Sequence, residues 1–143
     1  AATMGAFLAL NGAFEFRYFI LTGAVALWVS GFDILYALQD LEHDRAHGIF
    51  SIPARFGEQT ARIFALLSHL GSLAALFLLP FFWNLGWLYW SGYLLSAVLM
   101  LSEHIVSLGK TAAHIRIASY TINEIIPVLL LIATLMDIYL VSA

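Results

Sequence analysis

Long apolar stretches alternate with short polar ones along this chain, and the apolar stretches are close to membrane-spanning length. A helix that crosses the hydrocarbon core of a bilayer needs about 20 mostly apolar residues. The pattern predicts a partial helix at 3–13 and further helices near 18–39, 60–82, 85–106 and 119–141. Pro80, Asn84 and Gly86 predict a tight turn between the helices near 60–82 and 85–106. We therefore expect an all-α, multi-span transmembrane helix bundle with about four full spans and one partial span.

Composition supports a membrane protein. Of the 143 residues, 62% are hydrophobic and only 10% are charged, and the mean hydropathy is +0.92. A soluble domain carries about 25% charged residues. The chain has no cysteine, which excludes disulfides, zinc–thiolate sites and thiol nucleophiles.

The basic residues predict an orientation in the membrane. Five of the six Lys and Arg residues lie in or beside the loops 40–62 and 107–119. The turn at 83–93 has none and instead carries five aromatic residues, Trp83, Trp87, Tyr89, Trp90 and Tyr93. Positive charge favours the cytoplasmic side, and Trp and Tyr favour the membrane interface. We expect both basic loops in the cytoplasm, and the aromatic turn and the C-terminus outside.

The stretch from Asp33 to Asp44 carries four of the nine acidic residues in twelve positions. A helix turns about 100° per residue, so Asp33, Asp40 and Asp44 are expected on one stripe of one continuous helix. A divalent cation would relieve their mutual repulsion. Hard oxygen ligands suit Mg²⁺, which usually arrives with a phosphate substrate. The alternative is a solvated helix end that binds nothing.

The loop that follows the acidic stretch predicts a short helix. Gly48 is expected to end the acidic helix, and Ser51 with Pro53 to begin the next one as cap and first-turn proline. Gly57 is expected to end that short helix. The segment would then lie over the cytoplasmic mouth of the bundle as a lid.

These residues resemble the second aspartate-rich motif of the UbiA-type intramembrane prenyltransferases. Within that family the chain is most similar to 4-hydroxybenzoate polyprenyltransferases and their relatives in menaquinone synthesis, over nearly its whole length. The resemblance rests on Asp33-x-x-Tyr36-Ala37-x-x-Asp40-x-x-x-Asp44, on Gly48-Ile-x-Ser51-x-x-x-Arg55-Phe56-Gly57, and on Glu103-His104 followed by Asn123.

The resemblance implies a bundle of nine or so helices around a central cavity, with two facing aspartate-rich motifs in the cell inner membrane. No early Asn/Asp-rich motif is visible, so residues 1–143 are expected to be the C-terminal half of one prenyltransferase domain. Its partner would be the N-terminal helices of the same enzyme. The chain by itself is expected to insert in membranes and to be inactive.

The resemblance also implies a reaction, which is Mg²⁺-dependent transfer of a polyprenyl group from a prenyl diphosphate to an aromatic acid such as 4-hydroxybenzoate. It implies catalytic roles for Asp33 and Tyr36 and metal binding by Asp40 and Asp44. It implies substrate-binding roles for four further residues, Arg45, Ser51, Arg55 and Asn123. We expect the helices that carry Asp33 and Asn123 to meet in space. No nucleic-acid partner is expected.

Other interpretations of single residues stay open at this point. Asp33 could pair with Arg55, and Tyr36 could be a packing residue. His69 is expected to be a structural histidine with satisfied hydrogen bonds, and Asp137 a surface residue. Glu103 and His104 could bind substrate or pair with two basic residues, Lys110 and Arg116.

Other function classes are also open. The alternative to an enzyme is a non-enzymatic membrane module, such as half of a transporter or a divalent-cation pathway, whose charges would lie at the bilayer midplane. Here the acidic residues lie at one helix end beside Arg and Gly, which favours a diphosphate site. A phosphatidyltransferase is less consistent with the spacing of the aspartates.

Overall fold

The computed structural model describes residues 2–12, 15–108 and 121–141, and helices are the only regular elements among them. The all-α prediction is confirmed. The helices are α1 (Ala2–Asn11), α2 (Phe16–Ala37), α3 (Leu41–His47), α4 (Ile52–Phe56), α5 (Glu58–Trp83), α6 (Trp87–Ser107) and α7 (Asn123–Leu140).

Three of these helices, α2, α5 and α7, are long and apolar enough to cross a membrane. They have 22, 26 and 18 residues, and α6 has 21. At about 1.5 Å per residue, α5 extends about 39 Å. Many large apolar side chains of these helices are exposed, as a lipid-facing surface requires. The structure thus has the multi-span bundle that the apolar pattern predicts.

The bundle is built from two helix pairs, α2 with α5 and α6 with α7. Small side chains let α2 and α5 approach closely, since Ala24, Ala61 and Ala65 are almost fully buried. The Ser72 hydroxyl of α5 donates a hydrogen bond to the Ala24 carbonyl of α2 over 2.8 Å. Such a bond satisfies a polar group that the membrane interior cannot hydrate.

Asp137 corrects one sequence-based expectation, because its side chain is completely buried. Its carboxylate accepts hydrogen bonds from the backbone N–H groups of Gly86, Leu88 and Tyr89, at 2.5, 3.1 and 3.2 Å. These N–H groups lie at the start of α6, where they have no partner within the helix and carry partial positive charge. The expectation that Asp137 lies on the surface is wrong. It caps α6 from the far end of α7.

The predicted turn between α5 and α6 is present, with Asn84 in the left-handed region at φ 49°. The aromatic residues around this turn differ in how much of each side chain is exposed. Trp87 is 66% exposed, whereas Tyr89 is 2% exposed and donates its hydroxyl to the Leu76 carbonyl. Tyr89 is therefore a core residue, and the expectation that it belongs to an interfacial belt is wrong for this position.

The opposite end of the bundle is closed by α3 and α4. Gly48 ends α3 at φ 68°, the Ser51 hydroxyl accepts a hydrogen bond from the Ala54 N–H, and Gly57 separates α4 from α5 at φ 86°. These three predictions are confirmed. Ile52 of α4 packs against buried apolar residues of α2, of α5 and of the turn after α2, namely Ile34, Leu35, Leu38, Ala61 and Ala65. The short helix therefore covers the junction of the two long ones.

Candidate active site

The acidic stretch is not one continuous helix. The segment 38–40 is a turn in which Leu38 and Asp40 donate to carbonyls three residues back, over 3.3 Å each, and α3 begins anew with Asp40 at its cap position. The predicted single stripe through Asp33, Asp40 and Asp44 is therefore wrong. The restart places Glu42 and Asp44 in the first turn of α3. Their negative charge is favourable there because it faces the positive end of the helix dipole.

Asp40 and Asp44 remain one helical turn apart. The Asp44 N–H donates to the Asp40 carbonyl over 2.8 Å. Residues four apart in a helix lie about 5–6 Å from each other at their Cβ atoms. Asp44 is 7% exposed, whereas Asp40 and its neighbour Glu42 are exposed. The two carboxylates thus lie one turn apart at the start of α3, with Asp44 buried and Asp40 exposed.

A pocket of about 290 Å³ lies between α3 and α4, where it brings Asp44, Arg45 and Arg55 together. Gly48, Ile49, Phe50 and Ala54 form the rest of its wall. Within the described residues neither arginine has a carboxylate within ion-pair distance. The Arg55 guanidinium lies 5.3 Å from the centre of the Phe50 ring, which holds it in place. The pocket therefore presents two guanidinium groups, which suit phosphate oxygens.

Asp33, Tyr36 and Ser51 do not line this pocket. Asp33 and Tyr36 are exposed on α2, and the Tyr36 ring lies 6.2 Å from that of Phe32. The possible Asp33–Arg55 ion pair is absent from the described part of the chain. Ser51 uses its hydroxyl to cap α4, over 3.3 Å to the Ala54 N–H.

Asn123 lies against α2. Its side-chain oxygen accepts a hydrogen bond from the Trp28 indole N–H over 2.6 Å. The helices that carry Asp33 and Asn123 therefore meet, as expected. Trp28 precedes Asp33 by five residues, or about 7.5 Å along the axis.

A second, larger cavity of about 700 Å³ lies within the bundle. Trp28 belongs to its wall, so the indole that binds Asn123 also faces the cavity. Its other lining residues are almost all apolar or aromatic, among them Leu21, Val25, Leu76, Trp83 and Leu130. An apolar cavity of this kind suits a hydrocarbon chain.

One buried polar cluster was not predicted from the sequence. His69 of α5 and Glu103 of α6 are both fully buried. The His69 Nδ1 lies 2.9 Å from the His104 Nε2 and 4.0 Å from a Glu103 carboxylate oxygen. His69 is thus hydrogen-bonded through Nδ1, but its buried Nε2 has no hydrogen-bond partner among the described residues, and neither has either Glu103 carboxylate oxygen. The expectation that the hydrogen bonds of His69 are all satisfied is therefore wrong for Nε2. Lys110 and Arg116, the suggested partners of Glu103 and His104, lie outside the described residues. Because 35 residues separate His69 from His104, no local motif could reveal the pair.

Among the described residues, no group of three or more Asp, Glu or His side chains is arranged to hold a metal ion. Asp40 and Asp44 together offer two hard carboxylate ligands. Mg²⁺ is commonly bound by one or two carboxylates together with substrate phosphates and water. The donor set at the start of α3 therefore fits Mg²⁺ that arrives with a diphosphate.

Comparisons with known proteins agree with the geometry. The sequence model of the UbiA prenyltransferase family matches residues 1–125. A 4-hydroxybenzoate octaprenyltransferase from Hydrogenovibrio crunogenus is 30% identical over 97 residues, which cover 64% of this chain and 32% of that protein. A 4-hydroxybenzoate solanesyltransferase from Synechocystis sp. is 30% identical over 97 residues, which cover 68% of this chain and 33% of that protein. The chain spans about a third of the length of these curated relatives. No solved structure matches.

Proposed function

This chain belongs to the UbiA prenyltransferase family, and on that basis we propose that it takes part in transferring a polyprenyl group from a prenyl diphosphate to an aromatic acid. The acceptor would resemble 4-hydroxybenzoate, and the product would serve quinone biosynthesis. Support for this acceptor comes from the two relatives, whose names specify 4-hydroxybenzoate as the substrate.

The pocket between α3 and α4 is the observation that carries the proposal. Arg45 and Arg55 would bind diphosphate oxygens there, and Asp44 with Asp40 would hold Mg²⁺ beside them. Bound Mg²⁺ would neutralise the charge that develops on the diphosphate as it leaves. A second acidic motif, outside the 143 residues, would complete the cage around the diphosphate.

The apolar cavity would accommodate the polyprenyl tail, because its wall offers few hydrogen-bonding groups. Asp33 and Tyr36, farther along α2, would face the aromatic acceptor or the allylic cation. A carboxylate and an aromatic ring both stabilise positive charge. Asn123, fixed by Trp28, would bind substrate at the junction of α2 and α7.

The protein is integral to a membrane, and we place it in the cell inner membrane with the acidic motif on the cytoplasmic side. The basic residues near that motif support this orientation. Mg²⁺ and soluble diphosphate metabolites would then reach the pocket directly.

The test is an assay of the full-length parent protein in membranes with labelled prenyl diphosphate and a panel of aromatic acids. We expect transfer to a 4-hydroxybenzoate-like acid that stops on addition of EDTA and returns with Mg²⁺. The alternative, a transporter half or a divalent-cation pathway, predicts cation flux in proteoliposomes without any prenylated product. Flux without product would overturn the proposal.

A further inference from the structure

The His69–His104 pair, in which His69 is fully buried and His104 is partly buried, lies directly behind the part of α2 that carries Asp33 and Tyr36. The His69 ring packs against Gly31, where α2 and α5 approach so closely that a Cβ on Gly31 would overlap the ring. The same Cβ would lie 3.1 Å from the Ala65 carbonyl oxygen. Gly31 precedes Asp33 by two residues and Tyr36 by five, so any shift of α2 at Gly31 moves both side chains.

His69 is itself held from the other side. Its Nδ1 is 2.9 Å from the His104 Nε2 of α6, so one of the two imidazoles donates a hydrogen bond to the other. Close by, the Arg62 guanidinium of α5 donates to the Ser107 carbonyl of α6 over 2.8 Å. Both links join α5 to α6, and the first restrains the His69 ring, which packs against α2 at Gly31.

A histidine pair inside a membrane bundle needs a reason, because intramembrane ionisable residues are costly and are usually functional. An apolar side chain could fill the same volume. A hydrogen bond between two rings, however, is directional, so it restrains their relative position more tightly than contact between aliphatic side chains does.

We propose that His69, held by His104, is a positioning residue that sets the depth and rotation of α2 and thereby places Asp33 and Tyr36 for the reaction. This inference rests on the proposed function. His69 lines neither the apolar cavity nor the pocket between α3 and α4, so its action on the substrate is indirect.

The test uses two matched pairs of variants in the full-length parent. Gly31→Ala forces the His69 ring and α2 apart, whereas Gly23→Ala on the same helix meets nothing within 4 Å. His104→Leu removes the hydrogen bond to His69, whereas His104→Gln places an amide group near the position of Nε2 and can keep it. The second pair decides the question if Gly31→Ala does not fold.

Two quantities are measured for each folded variant, the kcat and KM for prenyl diphosphate and the distance between spin labels on α2 and α5. Residues 1–143 contain no cysteine, so once any cysteine elsewhere in the parent is replaced, labels at Ser30→Cys and Leu70→Cys are specific. Both native side chains are exposed. We expect Gly31→Ala and His104→Leu to lower kcat by on the order of 10- to 100-fold with little change in KM. The label distance should shift or broaden in these two variants only.

The outcomes separate the two proposals. No transfer by the unmodified parent overturns the proposed function, and the label distances then decide by themselves whether the histidine pair sets α2. Normal kcat in folded Gly31→Ala or His104→Leu, despite a shifted label distance, overturns the positioning role. Unchanged label distances in an active parent carrying these variants overturn it as well.

Discussion

Asp44 and Glu42 lie two residues apart on α3 yet have different surroundings. Asp44 is 7% exposed and lines the small pocket together with Arg45 and Arg55, whereas Glu42, like Asp40, is exposed and does not line it. Asp40 differs from Glu42 because it lies one helical turn before Asp44. The chemical role of a carboxylate here depends on which side of a seven-residue helix it occupies.

Substitution of the proposed metal ligands, Asp40 and Asp44, gives the first prediction. In the full-length parent, Asp44→Ala or Asp40→Ala should lower the Mg²⁺-dependent transfer rate by more than about 100-fold, the scale seen when a group that stabilises transition-state charge is removed. Glu42→Ala is the matched control and should leave the rate nearly unchanged. Near-normal turnover in either aspartate variant would remove the metal assignment.

Asp137 gives a second prediction, about stability. Asp137→Leu leaves three backbone N–H groups at the start of α6 without their acceptor, and should lower the free energy of unfolding by about 2 kcal/mol or more. Thermal unfolding in detergent measures the loss. Thr134→Val removes only a hydroxyl bonded to the carbonyl of Leu130 in its own helix, and should have a much smaller effect. Equal melting temperatures for the two variants would contradict the capping role.

At the scale of elements, α4 depends on the backbone at both of its ends. Gly57 adopts φ 86° and ψ 161°, a conformation that is essentially restricted to glycine. This conformation lets α4 end and α5 begin within one residue. The position of α4 over the α2–α5 junction therefore follows from one glycine and from the packing of Ile52.

The third prediction tests this connection. Gly57→Ala should destabilise the α4 segment by about 1–3 kcal/mol, because alanine is strained in that conformation. Limited proteolysis of the 48–58 region should become faster. Gly48→Ala, also at positive φ with open space around it, should behave alike, whereas the helical Gly23→Ala should not increase cleavage. Unaltered cleavage in Gly57→Ala would show that packing alone holds α4.

At the scale of the whole molecule, the length of α5 determines which loops are expected on the same side of the membrane. It joins Gly57, at the acidic end, to Asn84, at the aromatic end, over about 39 Å. That length exceeds the hydrocarbon thickness of about 30 Å. We therefore expect the small pocket and the Asp137 cap to lie at opposite faces of the bilayer.

The fourth prediction follows from this length. Single cysteines at Ala46 and Asn84, each in an otherwise cysteine-free chain, should react with a membrane-impermeant maleimide from opposite sides. The cysteine at position 46 should be labelled only when the cytoplasmic side is accessible, because the basic residues flank it. Detergent-permeabilised membranes provide the control, in which both positions react. Labelling of both from one side of intact vesicles would contradict the arrangement.

The sequence by itself determined the elements that local chemistry dictates. Long apolar runs require helices, because only a helix satisfies all of its own backbone groups in lipid. Gly48, Ser51 and Gly57 likewise fix the ends of α3 and α4, because positive φ and side-chain capping are properties of single residues. The motif residues also sufficed to indicate the family, which the comparison over residues 1–125 bears out.

Only the tertiary structure decided which polar residues meet. Asp137 reaches Gly86 across 51 residues and His69 reaches His104 across 35, and no periodicity encodes either contact. The break between Asp33 and Asp40 was also not predicted from the sequence, because the argument from helical spacing assumes that an uninterrupted run of residues forms one helix. A new helix begins there because Leu38 is buried against α5. Asp40, Glu42 and Asp44 then lie at the N-terminal turn of α3, where their negative charge is stabilised. Local sequence sets helices and their ends, whereas packing between helices sets the partners of buried charge.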